Sequence, residues 1–249
     1  QVESSEQFSR LLQCGGTVEL AVNRSGEELM LAARPVEDED GTYRLGAWIR
    51  DSMAGIGTVT FYDPQTGQFG ALGHGVTDGD TGLLMPLLDG AVMASRVKAV
   101  KMGSAGSPGQ LRGEFDLTRD MGVLSANTER GVFGTMERSA MTGGQAIPVA
   151  SFDEVHEGEA VIYANVSGDS VEEYGIEIVK VLEPTGAQNL LLRVTDQKLV
   201  TKTGGIVQGM SGSPIIQDGK LVGAVTHVLV NDPTKGYGIL IENMLDAAG

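Results

Sequence analysis

Residues 208–216 read Gln208-Gly209-Met210-Ser211-Gly212-Ser213-Pro214-Ile215-Ile216. A serine between glycines, followed by proline and an apolar pair, has a mechanical meaning. Gly209 lets the backbone turn so that the N–H groups of Gly209 and Ser211 can face one spot, a place for a developing oxyanion. Gly212 leaves room beside Ser211 for a substrate. Pro214 then opens an apolar strand, Gln217-Asp218-Gly219-Lys220 makes a tight turn, and residues 221–230 return as a second strand. The same residues also suit a purely structural turn, so the serine needs partners before it means chemistry.

Working outward, the rest of the chain from residue 43 reads as short strands separated by turns. Strands are expected at 58–62, 69–76, 122–124, 131–135, 160–164, 176–182, 190–194 and 237–241, with a closing helix at 242–248. There are 36 glycines, about twice the average frequency of roughly 7%. Many are paired or follow Asp, as in Gly15-Gly16, Asp89-Gly90, Gly143-Gly144 and Gly204-Gly205, which marks tight turns. Strands at this spacing without long helices between them predict a mostly β barrel or sandwich. An α/β-hydrolase elbow needs Gly-x-Ser-x-Gly followed by a helix. Here Ser213 stands at the last glycine and a strand follows. The segment instead resembles the Gly-x-Ser-Gly-Gly-Pro of chymotrypsin-like serine proteases.

A serine nucleophile needs a base, and the chain has three histidines. His74 lies in Gly73-His74-Gly75 at the end of an expected strand and precedes Ser211, the order of a two-barrel protease with one residue from each barrel. His227, in Thr226-His227-Val228, lies on the second strand after Ser211. Thr226 and His227 are candidate substrate contacts, since that strand can pair with a peptide backbone. His156 sits in an acidic surface stretch. The histidines lack the spacing of a helical zinc site, so no metal and no cofactor is expected. For the acid that orients the base, Asp116 and Asp196 both remain open on position alone.

Residues 1–36 form a separate piece. Ser4 or Ser5 caps a helix to about Leu12, Gly15-Gly16 ends it, and two alternating strands follow around a turn at 23–26. This resembles the helix and hairpin that end a PDZ domain. Residues 37–44 read as an acidic linker, and 45–249 as the main domain. The chain starts at Gln1 rather than Met, which suits a processed protein whose signal or membrane anchor lies upstream. The net charge of −15 argues against nucleic acid. A single Cys rules out an internal disulfide.

The longest match is to a family. Asp196, then residues 202–216 around Ser211, then Gly223-Ala224-Val225-Thr226-His227-Val228, Asn231-Asp232-Pro233-Thr234 and Gly70-Ala71-Leu72-Gly73-His74 resemble the stage IV sporulation protein B peptidases. The resemblance implies a chymotrypsin-like double β-barrel serine endopeptidase, preceded by a PDZ domain. It implies catalytic Ser211 and His74, with Asp196 rather than Asp116 as the acid. It also implies export to the space between forespore and mother cell. There the family processes itself and cleaves a regulator of an intramembrane protease complex, which activates a sigma factor. Met210 departs from classical relatives, whose Asp at that place binds a freed N-terminus, so that salt bridge is not available. Two other classes stay open. One is an inactive peptidase or peptide-binding module. The other is a general quality-control protease.

Overall fold

The structure is a computed structural model; residues 2–24, 26–140 and 146–249 are described, and the Gly143-Gly144 pair and Ser25 of the expected 23–26 turn lie outside them. Residues 1–55 and 56–249 form two compact units. In the first, Ser4 caps helix α1 (Ser5–Leu12) by accepting from the Gln7 N–H. Strands β1 (Val18–Arg24) and β2 (Glu27–Ala33) pair as an antiparallel hairpin. The acidic run is the turn of a small hairpin between β3 (Val36–Glu37) and β4 (Tyr43–Arg44), with Asp38 accepting from the Thr42 N–H.

The second unit has two β lobes. The first holds β5 (Val59–Tyr62), β6 (Gln68–Ala71), β7 (Ala91–Lys101), β8 (Gln110–Thr128) and β9 (Gly131–Met136) in the order β5-β6-β9-β8-β7. The second holds β10 (Gly158–Ser167), β11 (Ser170–Val181), β12 (Leu190–Val194), β13 (Pro214–Gln217), β14 (Lys220–Leu229) and β15 (Asp232–Leu240), closed into a six-stranded barrel. Helix α2 (Gln197–Thr203) precedes the serine loop and α3 (Ile241–Ala248) ends the chain.

The closed barrel follows from alternation. Ala160, Ile162, Ala164 and Val166 of β10 are buried while their neighbours are not, and Tyr174, Ile176 and Ile178 repeat the pattern on β11. With Leu190, Leu192 and Ile215 they fill the barrel interior, each full burial of a branched aliphatic contributing about 1.5–3 kcal/mol.

The first lobe is an open sheet where a closed barrel was expected. Its edge strand β5 has four residues and a register shift between Val59 and Phe61. Among the described residues β5 and β7 are the two edges of this sheet and do not pair. The other edge docks on the second lobe instead: Val97 exchanges both main-chain hydrogen bonds with Gly168 at the β10–β11 turn.

Strand β7 was not expected at all. Its Ala, Met, Lys and Arg content has no period of two, and only Val97 is buried. Pairing with β8 makes it a strand. Strand β6 ends at Ala71, short of the expected 69–76. Strand β15 starts at Asp232, one residue before Pro233, so the tight turn is Val230-Asn231. Among the described residues no helix is long and apolar enough to cross a membrane.

Candidate active site

Strand β6 stops where the backbone bends sharply. Leu72 has φ 68°, and the Gly73 N–H donates to Ala71 O at 2.8 Å, which makes Leu72 the centre of a γ-turn. A non-glycine residue there costs about 1–3 kcal/mol. Neighbours hold it in place. The Leu72 N–H donates to Thr58 O, and Gly73 lies against Thr226 and Ile239 of the second barrel. The turn therefore delivers His74 to the junction of the two lobes. Asn127 pins Val76, two residues on, accepting from the Val76 N–H at 2.8 Å while its amide donates to Val76 O and Met85 O, both at 2.9 Å.

The serine loop is gripped from both sides. On the first-lobe side, the Thr58 N–H donates to Ser211 O at 2.8 Å, and the buried Thr60 hydroxyl donates to Gly212 O at 2.8 Å. On the barrel side, the Gly212 N–H donates to Val225 O and the Val225 N–H to Ser213 O. Gly212 has φ 90°, and a Cβ on it would lie 2.1 Å from Thr58 O. Its missing side chain admits the first lobe, not a substrate as the sequence suggested. Met210 is buried in the barrel core. Ser213 is fully buried, and its hydroxyl has no hydrogen-bond partner among the described residues.

Between these grips Thr226 and His227 touch both candidate residues. The Ser211 hydroxyl donates to Thr226 O at 2.9 Å. The next residue, His227, packs its ring on His74 with centroids 4.8 Å apart and planes tilted by 39°. The Thr226 hydroxyl turns into the barrel and donates to Tyr237 O at 3.1 Å. His74 Nδ1 lies 2.8 Å from Gly75 O. A carbonyl only accepts, so Nδ1 carries a proton; in the neutral ring that is the tautomer with Nε2 as acceptor, the one a general base needs. Partial burial, and then the neighbouring His74, push the His227 pKa down.

Neither candidate acid is bonded to the His74 ring. Asp196 is the N-cap of α2, with one carboxylate oxygen accepting from the Lys198 N–H at 2.7 Å and the Leu199 N–H at 3.3 Å. Asp116 is exposed on β8, where the Thr118 hydroxyl and N–H hold its carboxyl below the ordinary carboxylate value. Among the described residues the main-chain N–H groups of Gly209 and Ser211 have no hydrogen-bond partner, whereas those of Gln208, Met210, Gly212 and Ser213 are all used. Thr58, Thr60 and Asn127 escaped the sequence reading. Nothing local marks them, because their partners lie on other elements.

A family profile described as SpoIVB peptidase S55 matches residues 41–245. No curated protein matches the chain. Among solved structures it is similar to a serine-to-alanine mutant of Rv3671c from M. tuberculosis H37Rv in its inactive form. That pair shares 11% identity over 62% of this chain and 85% of that one, with a TM-score of 0.39. It is also similar to the active form of the Rv3671c protease from M. tuberculosis, at 13% identity over 64% of this chain and 81% of that one, with a TM-score of 0.38. The unit is mostly β and two-lobed, a closed six-stranded barrel beside a five-stranded sheet. The profile spans most of the chain, serine loop and His74 turn included, so this protein belongs to the SpoIVB peptidase S55 family and is a serine peptidase.

Proposed function

We propose that Ser211 is the nucleophile of an endopeptidase and His74 its general base. The observation that carries this is the shared anchor of the two residues: the Ser211 hydroxyl sits on Thr226 O, and the residue after Thr226 packs its ring on His74. Reaction requires the hydroxyl to leave Thr226 O for His74 Nε2. Its oxygen then attacks a peptide carbonyl while Nε2 takes the proton. The free N–H groups of Gly209 and Ser211 receive the oxyanion, each such donor worth roughly 3–4 kcal/mol in comparable enzymes. His74 returns the proton to the leaving amine, and water releases the acyl group by the same route in reverse. Thr226 and His227 border the substrate. Asp196 serves as the orienting acid once it gives up its helix cap.

The family points to the biological setting. In that setting the protein is exported to the space between forespore and mother cell, held there through an upstream anchor. It processes itself and cuts a regulator of an intramembrane protease complex, and so triggers sigma-factor activation. The helix and hairpin of residues 1–36 act as the end of a PDZ-like module ahead of a linker at 37–44 and the peptidase at 45–249. The test is Ser211→Ala in the full chain. Peptide hydrolysis and self-cleavage are both expected to vanish with the melting temperature unchanged. Cleavage that survives the substitution would remove Ser211 from the mechanism, and broad digestion of any unfolded protein would favour a quality-control role over signalling.

A further inference from the structure

The turn between β7 and β8, residues 102–109, leaves its own lobe and lies on the second one. The Gly103 N–H donates to Thr203 O and the Gly106 N–H to Val230 O, both at 2.8 Å. The Gln208 N–H donates to Gly109 O at 3.0 Å, and the Leu111 N–H donates to Gln208 O at 2.8 Å. The approach is close: a Cβ on Gly204 would lie 2.2 Å from Gly103 O. Leu111 is buried with Val207 and Met210 in the core of the second barrel, and its side chain rests against Gly209.

These contacts act on one peptide plane. The carbonyl of Gln208 and the N–H of Gly209 belong to the same trans peptide, so they point in opposite directions. Leu111 holds the carbonyl, which fixes where the Gly209 N–H points. That plane needs a pin. Gly209 has φ 102°, and glycine lets the flanking dihedrals rotate at little cost. The Gly209 N–H is itself without a partner among the described residues. The Met210 N–H donates to Val207 O and closes a turn around this peptide, which leaves the plane two orientations; among the described residues the Leu111 N–H is the group bonded to the plane itself.

We propose that the β7–β8 hairpin is a strap that positions the oxyanion donor, with Leu111 its positioning residue through the main-chain N–H. This rests on the assignment of Ser211 as nucleophile and Gly209 as donor. The first lobe then supplies more than His74. It also sets the geometry of a charge-stabilising group on the second lobe.

The test compares Leu111→Ala, which keeps the N–H, with Leu111→Pro, which lacks it, in hydrolysis of fluorescent casein by the full chain. A third protein carries the α-hydroxy acid analogue of leucine at position 111, which keeps the side chain and replaces the N–H with an ester oxygen. Removing a full oxyanion donor lowers kcat about 10²–10³-fold, so a misaligned one is expected to lower it at least tenfold, with KM within about threefold. Leu111→Pro is expected to fall at least about tenfold below Leu111→Ala in kcat, and the ester protein to match that loss at a near-normal melting temperature. Labelling of Ser211 by a fluorophosphonate slows in parallel. A folded ester protein with kcat within about twofold of the parent overturns the strap and leaves the Ser211 assignment standing. If Ser211→Ala still hydrolyses casein in the same assay, both fall.

Discussion

His227 faces His74 ring to ring, and two imidazolium ions at 4.8 Å repel each other. Partial burial is the larger cause and this repulsion the smaller, and both place the folded pKa below the unfolded one of about 6.5. The sign follows. Between the two values the unfolded chain binds more protons than the folded one, so stability rises with pH there. The contribution is intact above about pH 6.5 and is lost as pH falls through the folded value. His227→Gln is therefore expected to flatten the fall in urea midpoint between about pH 7.5 and 5.5, the range spanning a histidine titration. Equal slopes in the two proteins would show that His227 does not titrate against His74. At this scale the sequence singled out four residues that the structure places side by side. Ser211, His74, Thr226 and His227 could be picked out by motif and order. The bond from Ser211 to Thr226 O, and that from His74 to Gly75 O, depend on how two lobes meet, and no local pattern encodes that.

Helix α2 is an element the sequence did not announce. It has seven residues, and Val200, Thr201 and Thr203 are β-branched, so intrinsic propensity is poor. It forms because Asp196 caps it and Leu199 is buried in the barrel core. The same aspartate is the family-implied acid, and one pair of substitutions separates the two jobs. Asn is as good an N-cap as Asp, whereas Ala is not. Asp196→Asn is expected to keep stability within about 0.5 kcal/mol and to lower kcat by about 10⁴ if the carboxylate orients His74 during turnover. Asp196→Ala adds a loss of about 1 kcal/mol in denaturant unfolding. An Asn variant with near-normal kcat would leave Asp196 a helix cap and nothing more, and the Gly75 carbonyl as the group that orients the base. Strands β10 and β11 show the opposite case. Their central runs, 160–164 and 176–182, were expected as strands, and alternate residues of each are buried in the barrel. Strand β7 lacked that contrast, since both of its faces are largely exposed.

For the molecule as a whole, the mostly β class followed from turn spacing and the serine segment, but the unequal lobes did not. Closure of a barrel depends on which edges meet, and β7 meets Gly168 of the second lobe instead of β5. The consequence is functional. The serine loop is bonded to Thr58 and Thr60 on one side, to Val225 on the other, and to Leu111 of the hairpin just before it. The two lobes thus set the positions of His74 and the serine loop together. Mass-spectrometric mapping of fluorophosphonate adducts on the parent protein, Ser211→Ala and His74→Ala tests this most directly. One adduct is expected, on Ser211, absent in Ser211→Ala and formed at least about 10³-fold more slowly in His74→Ala. An unlabelled parent, or equal labelling in either variant, would contradict it.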